Sequence, residues 1–232
     1  MIPKGRKKMI MPIKLRRKRV VIDIDTQKDF FLADGAACVR NHRRVLMNIR
    51  RVLAWARAKD VRVVSTTLCK PGRNGDSFHS PGWQKISYTL RSKRIEFIPD
   101  DSTDLQRDLF ARYDQVILDK RTIDPFEEPR ADRLLSELRA DEMLVVGGLA
   151  EGAVAATVLG LLQRGKKVTV LIDAVGTLDR HQADVAFRKM KAKGAVLAET
   201  RDYAGTTHLK STGLCDCKLC RFEEKQAAVV GA

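Results

Sequence analysis

Seven short apolar runs, each set apart by a stretch of helical periodicity or by turn residues, constrain this chain more than any other feature. The first, at residues 20–24, reads VVIDI and passes directly into acids and amides as DTQKDFF. The others lie at residues 61–66, 95–98, 115–118, 143–146, 167–172 and 195–198. Within residues 39–59, Val45, Ile49, Val52, Leu53 and Ala56 mark a helical stripe whose outer face is rich in arginine. Helices are also predicted over 101–113, with an acidic first turn, and over 129–138, opened by Pro129. Two more are predicted over 151–163, stopped by Gly165, and over 181–193, closed by Gly194. Strands and helices alternating at this rhythm predict an α/β fold, a doubly wound parallel sheet with helices on both faces in three layers.

The 232 residues accommodate one such domain with tails: a basic arm at 1–19, the domain at 20–205 and a cysteine-containing tail at 206–232. No apolar run reaches membrane-spanning length, and the basic N-terminus lacks a secretory apolar stretch, so a cytoplasmic location is expected. Of the five cysteines, Cys38 and Cys69 stand alone while Cys215, Cys217 and Cys220 crowd the tail, unlike a secreted disulfide framework.

The formal net charge of +15 is unevenly distributed. Lys4, Arg6, Lys7, Lys8, Lys14, Arg16, Arg17, Lys18 and Arg19 occupy the arm without a single acid. Such a segment is drawn to nucleic acid, to an anionic surface or to an acidic protein partner. It contains no aromatic residue, so base stacking has no support there.

In a parallel sheet the carboxyl ends of the strands converge on one crevice. Asp25 leaves the first run, Lys120 follows the run at 115–118, and a Gly147-Gly148 turn follows the run at 143–146. Continued extended geometry would send Asp25, Gln27 and Asp29 out on one side. An Asp and a Lys meeting in that crevice form a pair able to pass a proton to a substrate. The loop at 67–84 leaves a strand end and carries Phe78, His79 and Trp83. Around the pair, Gln27, Phe30, Trp83, Arg121, Gly148 and Glu151 are candidate substrate contacts. Arg121 would meet an anionic group or pair with Asp119 or Asp124, and Glu151 would otherwise cap a helix. Asp173, ending the run at 167–172, would line the crevice or cap the turn at Gly176. In the tail, His208, Cys215, Cys217 and Cys220 could hold a structural zinc as Cys3His, with Cys217-x2-Cys220 the stronger half.

The ordered motifs over about residues 20–198 resemble the isochorismatase-like hydrolase superfamily, which includes nicotinamidases and other cysteine hydrolases. The resemblance rests on Asp25-x-Gln27-x-Asp29-Phe30, Lys120 ahead of Asp124-Pro125-Phe126, the turn and helix GGLAEGAVAATVLGLLQRG, and the strand VTVLIDAVG. It implies a parallel sheet, oligomeric assembly, a catalytic carboxylate at Asp25 and its lysine partner at Lys120. The family nucleophile, a cysteine at the start of the small-residue helix, maps to Ala153.

An alanine cannot form a thioester, so cysteine-dependent amidase activity is not expected. The Asp-x-His metal pair of nicotinamidases maps to Leu68, Cys69 and Lys70, so no metal is expected in the cleft. Three accounts fit these departures. Isochorismatases proper hydrolyse a vinyl ether with the aspartate and lysine alone, and Asp25 as proton donor beside Lys120 would suffice for that. A pseudoenzyme would keep the fold as a scaffold or as a binder of RNA or another polyanion. An alanine introduced to trap a substrate fits least, given the small residues around Ala153 and the missing metal pair.

Overall fold

A computed structural model of the protein describes residues 18–69 and 81–205. Seven strands form one sheet: β1 (Arg19–Ile24), β2 (Arg62–Leu68), β3 (Arg94–Phe97), β4 (Gln115–Lys120), β5 (Glu142–Gly147), β6 (Val168–Val175) and β7 (Val196–Ala198). Their order is β3-β4-β2-β1-β5-β6-β7, and every pairing is parallel. The helices are α1 (Lys28–Phe31), α2 (His42–Ala58), α3 (Leu109–Arg112), α4 (Pro129–Glu137), α5 (Ala155–Gln163), α6 (Arg180–Ala192) and α7 (Thr200–Ala204).

The central strands are apolar almost throughout because both faces are covered. On one face Val21, Val63, Leu144 and Val146 pack with Val45, Ile49, Leu53 and Trp55 of α2 and Ala204 of α7. On the other, Ile22, Ile24, Val64, Leu118 and Val145 pack with Leu134 and Leu135 of α4, Val158 and Leu161 of α5 and Met190 of α6. Alternate residues of β1 thus feed two separate cores. The chain leaves β1 toward β2 and later returns from β4 to β5 on the other side of β1. That reversal places the switch point, where open α/β sheets form their crevice, at the carboxyl ends of β1 and β5.

Four departures from the sequence-based expectations have local causes. The helix predicted over 101–113 is reduced to α3. Asp101 has φ +57°, Asp100 Oδ1 accepts from Ser102 N at 3.1 Å, and Ser102 Oγ accepts from Asp104 N at 3.0 Å. These side-chain bonds take the backbone donors a helix would need, and Arg130 and Arg133 of α4 take the carbonyls of Ile98, Thr103 and Asp104. The helix predicted from Glu151 starts instead as a wide turn, Ala150–Val154, broken by non-helical Gly152, so α5 begins at Ala155. β6 runs on to Val175, which leaves Asp173 inside the strand; its carboxylate receives Thr200 N and Oγ1, both at 2.8 Å. It caps α7 rather than a turn at Gly176. Finally, β1 ends at Ile24 and Asp25 turns to φ +45°, so Asp25, Gln27 and Asp29 do not continue one extended face.

Candidate active site at the carboxyl edge of the sheet

The reversed backbone at Asp25 has a chemical consequence. Extended geometry would put Asp25 on the α2 face beside Val21 and Asp23; instead its carboxylate meets β4 on the opposite face. Lys120 follows Val116 and Leu118 on that face, and its Nζ lies 2.7 Å from Asp25 Oδ2 with the two side chains 0% and 3% exposed. The ammonium also donates to the carbonyls of Thr122, at 3.1 Å, and Ile123, at 3.2 Å. Thr66 Oγ1 donates to Asp25 Oδ1 at 2.6 Å. Each carboxylate oxygen has a partner, and three acceptors surround the ammonium.

The end of β5 closes against this pair. Gly147 has φ +118°, and a Cβ there would lie 1.9 Å from the Ile24 carbonyl oxygen, so only glycine fits beside the residue preceding Asp25. The Gly148-Leu149 peptide is cis. Ala153 is buried in the apolar cluster that holds Ile24 and Val154. Ile123, whose carbonyl holds Lys120, reaches to 4.0 Å from the place of a Gly152 Cβ, which brings the β4 and β5 ends together. The intervening loop is anchored by Phe126. Its ring fills the space at Gly160 of α5, where a Cβ would lie 2.1 Å away, and it is stacked under Arg164 at 3.8 Å.

The remaining candidates occupy varied places. Gln27 spends its whole amide on the backbone: Nε2 donates to Leu68 O at 2.9 Å and Trp83 O at 2.6 Å, and Oε1 accepts from Leu68 N at 3.0 Å. It ties the end of β2 to the segment after residue 80. Phe30 and Trp83 meet edge-to-face at 6.2 Å. Gly148 faces the Phe31 ring, which would come within 3.0 Å of a Cβ. Glu151 accepts from Thr177 Oγ1 at 2.8 Å, Leu178 N at 2.8 Å and Asp179 N at 3.2 Å, fixing the turn ahead of α6. Arg121 pairs with neither Asp119 nor Asp124. Glu128 engages it at 3.0 Å, and Asp101 completes the grip; together these carboxylates push the guanidinium further toward its charged form. Phe78, His79 and the proposed zinc ligands His208, Cys215, Cys217 and Cys220 lie outside the described residues, as does the arm before Lys18.

A second buried pair was not anticipated. Lys85 Nζ lies 2.7 Å from Asp23 Oδ2, with side chains 5% and 0% exposed, and also donates to Thr26 Oγ1 at 2.5 Å. Ser65 Oγ donates to the same carboxylate oxygen at 3.0 Å. Asp23 Oδ1 is buried without a hydrogen-bond partner among the described residues. The signal in the sequence was an aspartate inside an otherwise apolar strand, a position that needs a cation.

Of the residues matching the nicotinamidase metal pair, Leu68 and Cys69 are described, and Lys70 lies outside the described residues. Leu68 offers no donor atom. Cys69 is buried, its thiol donating to the Thr67 carbonyl at 3.9 Å, and the thiol is pushed up to about 12, first by burial and then by the Asp119 charge. The same burial removes it as a stand-in nucleophile.

The isochorismatase domain model matches residues 19–202. Among solved structures, a pyrazinamidase of Pyrococcus horikoshii in complex with zinc is similar at 20% identity and TM-score 0.60, covering 78% of this chain and 99% of that one. An isochorismatase-like hydrolase from Alkaliphilus metalliredigens is similar at 16% identity and TM-score 0.62, covering 81% and 97%. The MAR1 ribonuclease of Caenorhabditis elegans is similar at 18% identity and TM-score 0.57, covering 86% and 91%. At these identities the structural likeness speaks to the fold alone. No curated protein matches the sequence. With the domain model spanning β1 to α7, the chain belongs to the isochorismatase family.

Proposed function

We propose that this protein is a hydrolase of small molecules that works by proton transfer from Asp25, without a covalent thioester, on a vinyl-ether type of substrate. The observation that carries the reading is the buried Asp25–Lys120 contact of 2.7 Å at the switch point of the sheet. Ala153 stands where the family resemblance puts a nucleophile, which leaves acid chemistry as the route open to these residues. In that route the Asp25 carboxyl group protonates the terminal vinyl carbon and Lys120 stabilises the carboxylate left behind. Water then adds to the oxocarbenium carbon and gives a proton to the Asp25 carboxylate, which restores the acid, and the hemiketal collapses to a ketone and an alcohol. Thr66 and Lys120 hold the two carboxylate oxygens, so the acid is oriented before substrate arrives. Incubating the protein with isochorismate and following keto-acid release tests this. Turnover in the wild type and its loss in Asp25→Asn are expected; turnover unchanged by Asp25→Asn would sink the reading.

The charge of the arm favours a second reading, a catalytically silent member that binds RNA or another polyanion through residues 4–19. A structural neighbour is named a ribonuclease, which fits that class of partner. No turnover on any vinyl ether, together with salt-sensitive RNA binding, is the result this reading expects. Zinc held by His208, Cys215, Cys217 and Cys220 and assembly into a homo-oligomer belong to the same proposal. Metal analysis of reductant-protected protein and light scattering test them.

A further inference from the structure

At the amino edge of the sheet, opposite the Asp25–Lys120 pair, an open cleft of about 400 Å³ lies where the chain enters β1, β5 and β6. Among the described residues its walls carry Lys18, Arg139, Arg164, Lys166 and Lys167 against one carboxylate, Asp141. Two of the cations are built into the frame. Lys166 Nζ donates to the carbonyls of Ser136, at 2.6 Å, and Leu138, at 2.9 Å. Arg164 is held by Asp132 at 2.7 Å and by the Phe126 ring. The other three, Lys18, Arg139 and Lys167, are exposed, and their side chains make no hydrogen bond or ion pair among the described residues. Asp141, whose Oδ2 accepts the backbone N–H of Lys18 at 2.8 Å, offsets one of these charges and leaves the cations in excess. Like charges gathered in a concavity repel one another and focus the field outward, an arrangement that suits an external anion.

We infer that this cleft binds the sugar-phosphate backbone of single-stranded RNA. Three observations select that partner. The cleft is concave, so a strand can lie in it while a flat bilayer cannot reach its floor. No aromatic side chain lines it among the described residues, which makes binding a matter of phosphates rather than of base identity. The charge also continues: Lys4, Arg6, Lys7, Lys8, Lys14, Arg16 and Arg17 precede Lys18 with no acid among them, a run matched to a repeating polyanion rather than to one small anion. The inference deepens the polyanion reading by moving its centre from the arm to a folded site, and it uses no step of the hydrolase chemistry.

The test is fluorescence anisotropy of the full chain with a labelled RNA strand of about 20 nucleotides, read at several salt concentrations. Replacing Lys18, Arg139 and Lys167 together by alanine should weaken binding at least roughly tenfold and flatten the log–log salt slope by about 2. The melting temperature should stay unchanged, and Arg139→Ala with Lys167→Ala should show an intermediate loss. Asp25→Asn should bind as the wild type does, which separates this site from the hydrolase chemistry. Binding of RNA that is absent, or unaffected by the triple substitution, overturns the inference. If removing residues 1–17 abolishes binding while the triple substitution leaves it intact, the cleft is excluded and the arm alone remains. Equal, cleft-dependent binding of polyglutamate or of anionic vesicles also overturns it, assigning the site to an acidic protein or a membrane.

Discussion

Asp23 and Asp25 stand on the same stretch of chain, each buried and each joined to a lysine at 2.7 Å, yet they point into opposite cores. Asp23 lies within β1, level with Ser65 of β2, and its lysine comes from a segment that pairs back on residues 26–28. Asp25 lies past the strand end in a left-handed conformation, and its lysine comes from the end of β4. The interior pair fastens a returning segment to the sheet and leaves one carboxylate oxygen without a partner among the described residues. The edge pair has both carboxylate oxygens held, with two further carbonyls on its lysine. The same two side chains thus make a fastener inside a sheet and, in the proposed function, a pre-oriented acid at its rim. Position relative to the strand end, not pair chemistry, separates the roles.

The strongest way to break that comparison is to remove one lysine at a time. Lys85→Met and Lys120→Met should each destabilise by about 3–5 kcal/mol, because each strands a buried carboxylate. Urea unfolding measures this as a lowered midpoint. The two variants should part in activity, measured per folded molecule: Lys85→Met keeps vinyl-ether turnover and Lys120→Met loses it. Equal loss in both would mean that the pairs act as one unit.

The asymmetry explains what could be read in advance. The sheet and most helices were legible because buried strands and amphipathic helices need regular apolar patterns, as in VVIDI or in Val45, Ile49 and Val52. Asp25 and Lys120 were legible from their places at strand ends. Lys85 was not, since its burial depends on a non-local pairing between residues 84–86 and 26–28. Gln27 looked like a substrate contact because sequence reveals an amide but not the backbone groups of Leu68 and Trp83 that consume it. α7 went unforeseen although its capping box, Glu199 with Asp202, was visible; one turn of helix carries too little apolar pattern to stand out. The stretch at 101–113 misled for the reverse reason, an apolar spacing defeated by local side-chain bonds at Asp100 and Ser102.

The hydroxyls on β2 sharpen the comparison at lower cost. Thr66 donates to Asp25, and its neighbour Ser65 donates to Asp23, from opposite faces of one strand. Thr66→Val and Ser65→Ala should each destabilise by about 1.5–3 kcal/mol, the range for hydrogen bonds to charged groups. Thr66→Val should also lower kcat with KM little changed, because it loosens the acid and not the substrate contacts, while Ser65→Ala should leave both constants alone. Steady-state kinetics on the two variants distinguishes orientation from packing.

A third paired carboxylate supplies a pH control. Burial alone would raise the pKa of Glu142, but hydrogen bonds from Tyr203, Thr169 and Arg19 outweigh it and hold the carboxyl below its usual 4.5. A carboxylate depressed on folding stabilises the protein above its unfolded pKa, and that contribution is lost as pH falls through the folded value. Glu142→Gln should therefore cost about 1 kcal/mol at neutral pH and less under acid, so the wild-type and variant stability curves converge below the usual carboxylate range. Curves that stay parallel into acid would show that the bonds act through shape and not through charge.

The smallest effect on stability should come from replacing both members of the interior pair. Asp23→Val with Lys85→Met removes two charges whose desolvation offsets much of their attraction, so the protein should remain within about 1 kcal/mol of the wild type. Ser65 keeps Gln115 as a partner at 2.8 Å, and Thr26 keeps Thr89 at 3.5 Å, so little is orphaned. The matching replacement at the rim, Asp25→Val with Lys120→Met, leaves the carbonyls of Thr122 and Ile123 without their ammonium donor and Thr66 without its acceptor. That variant should be less stable than the interior double variant by about 1–3 kcal/mol, the cost of a buried unsatisfied group, and should have no turnover. If the two doubles prove equally stable, the carbonyls around Lys120 are satisfied by water, and the rim pair is more open to solvent, and to substrate, than its burial suggests.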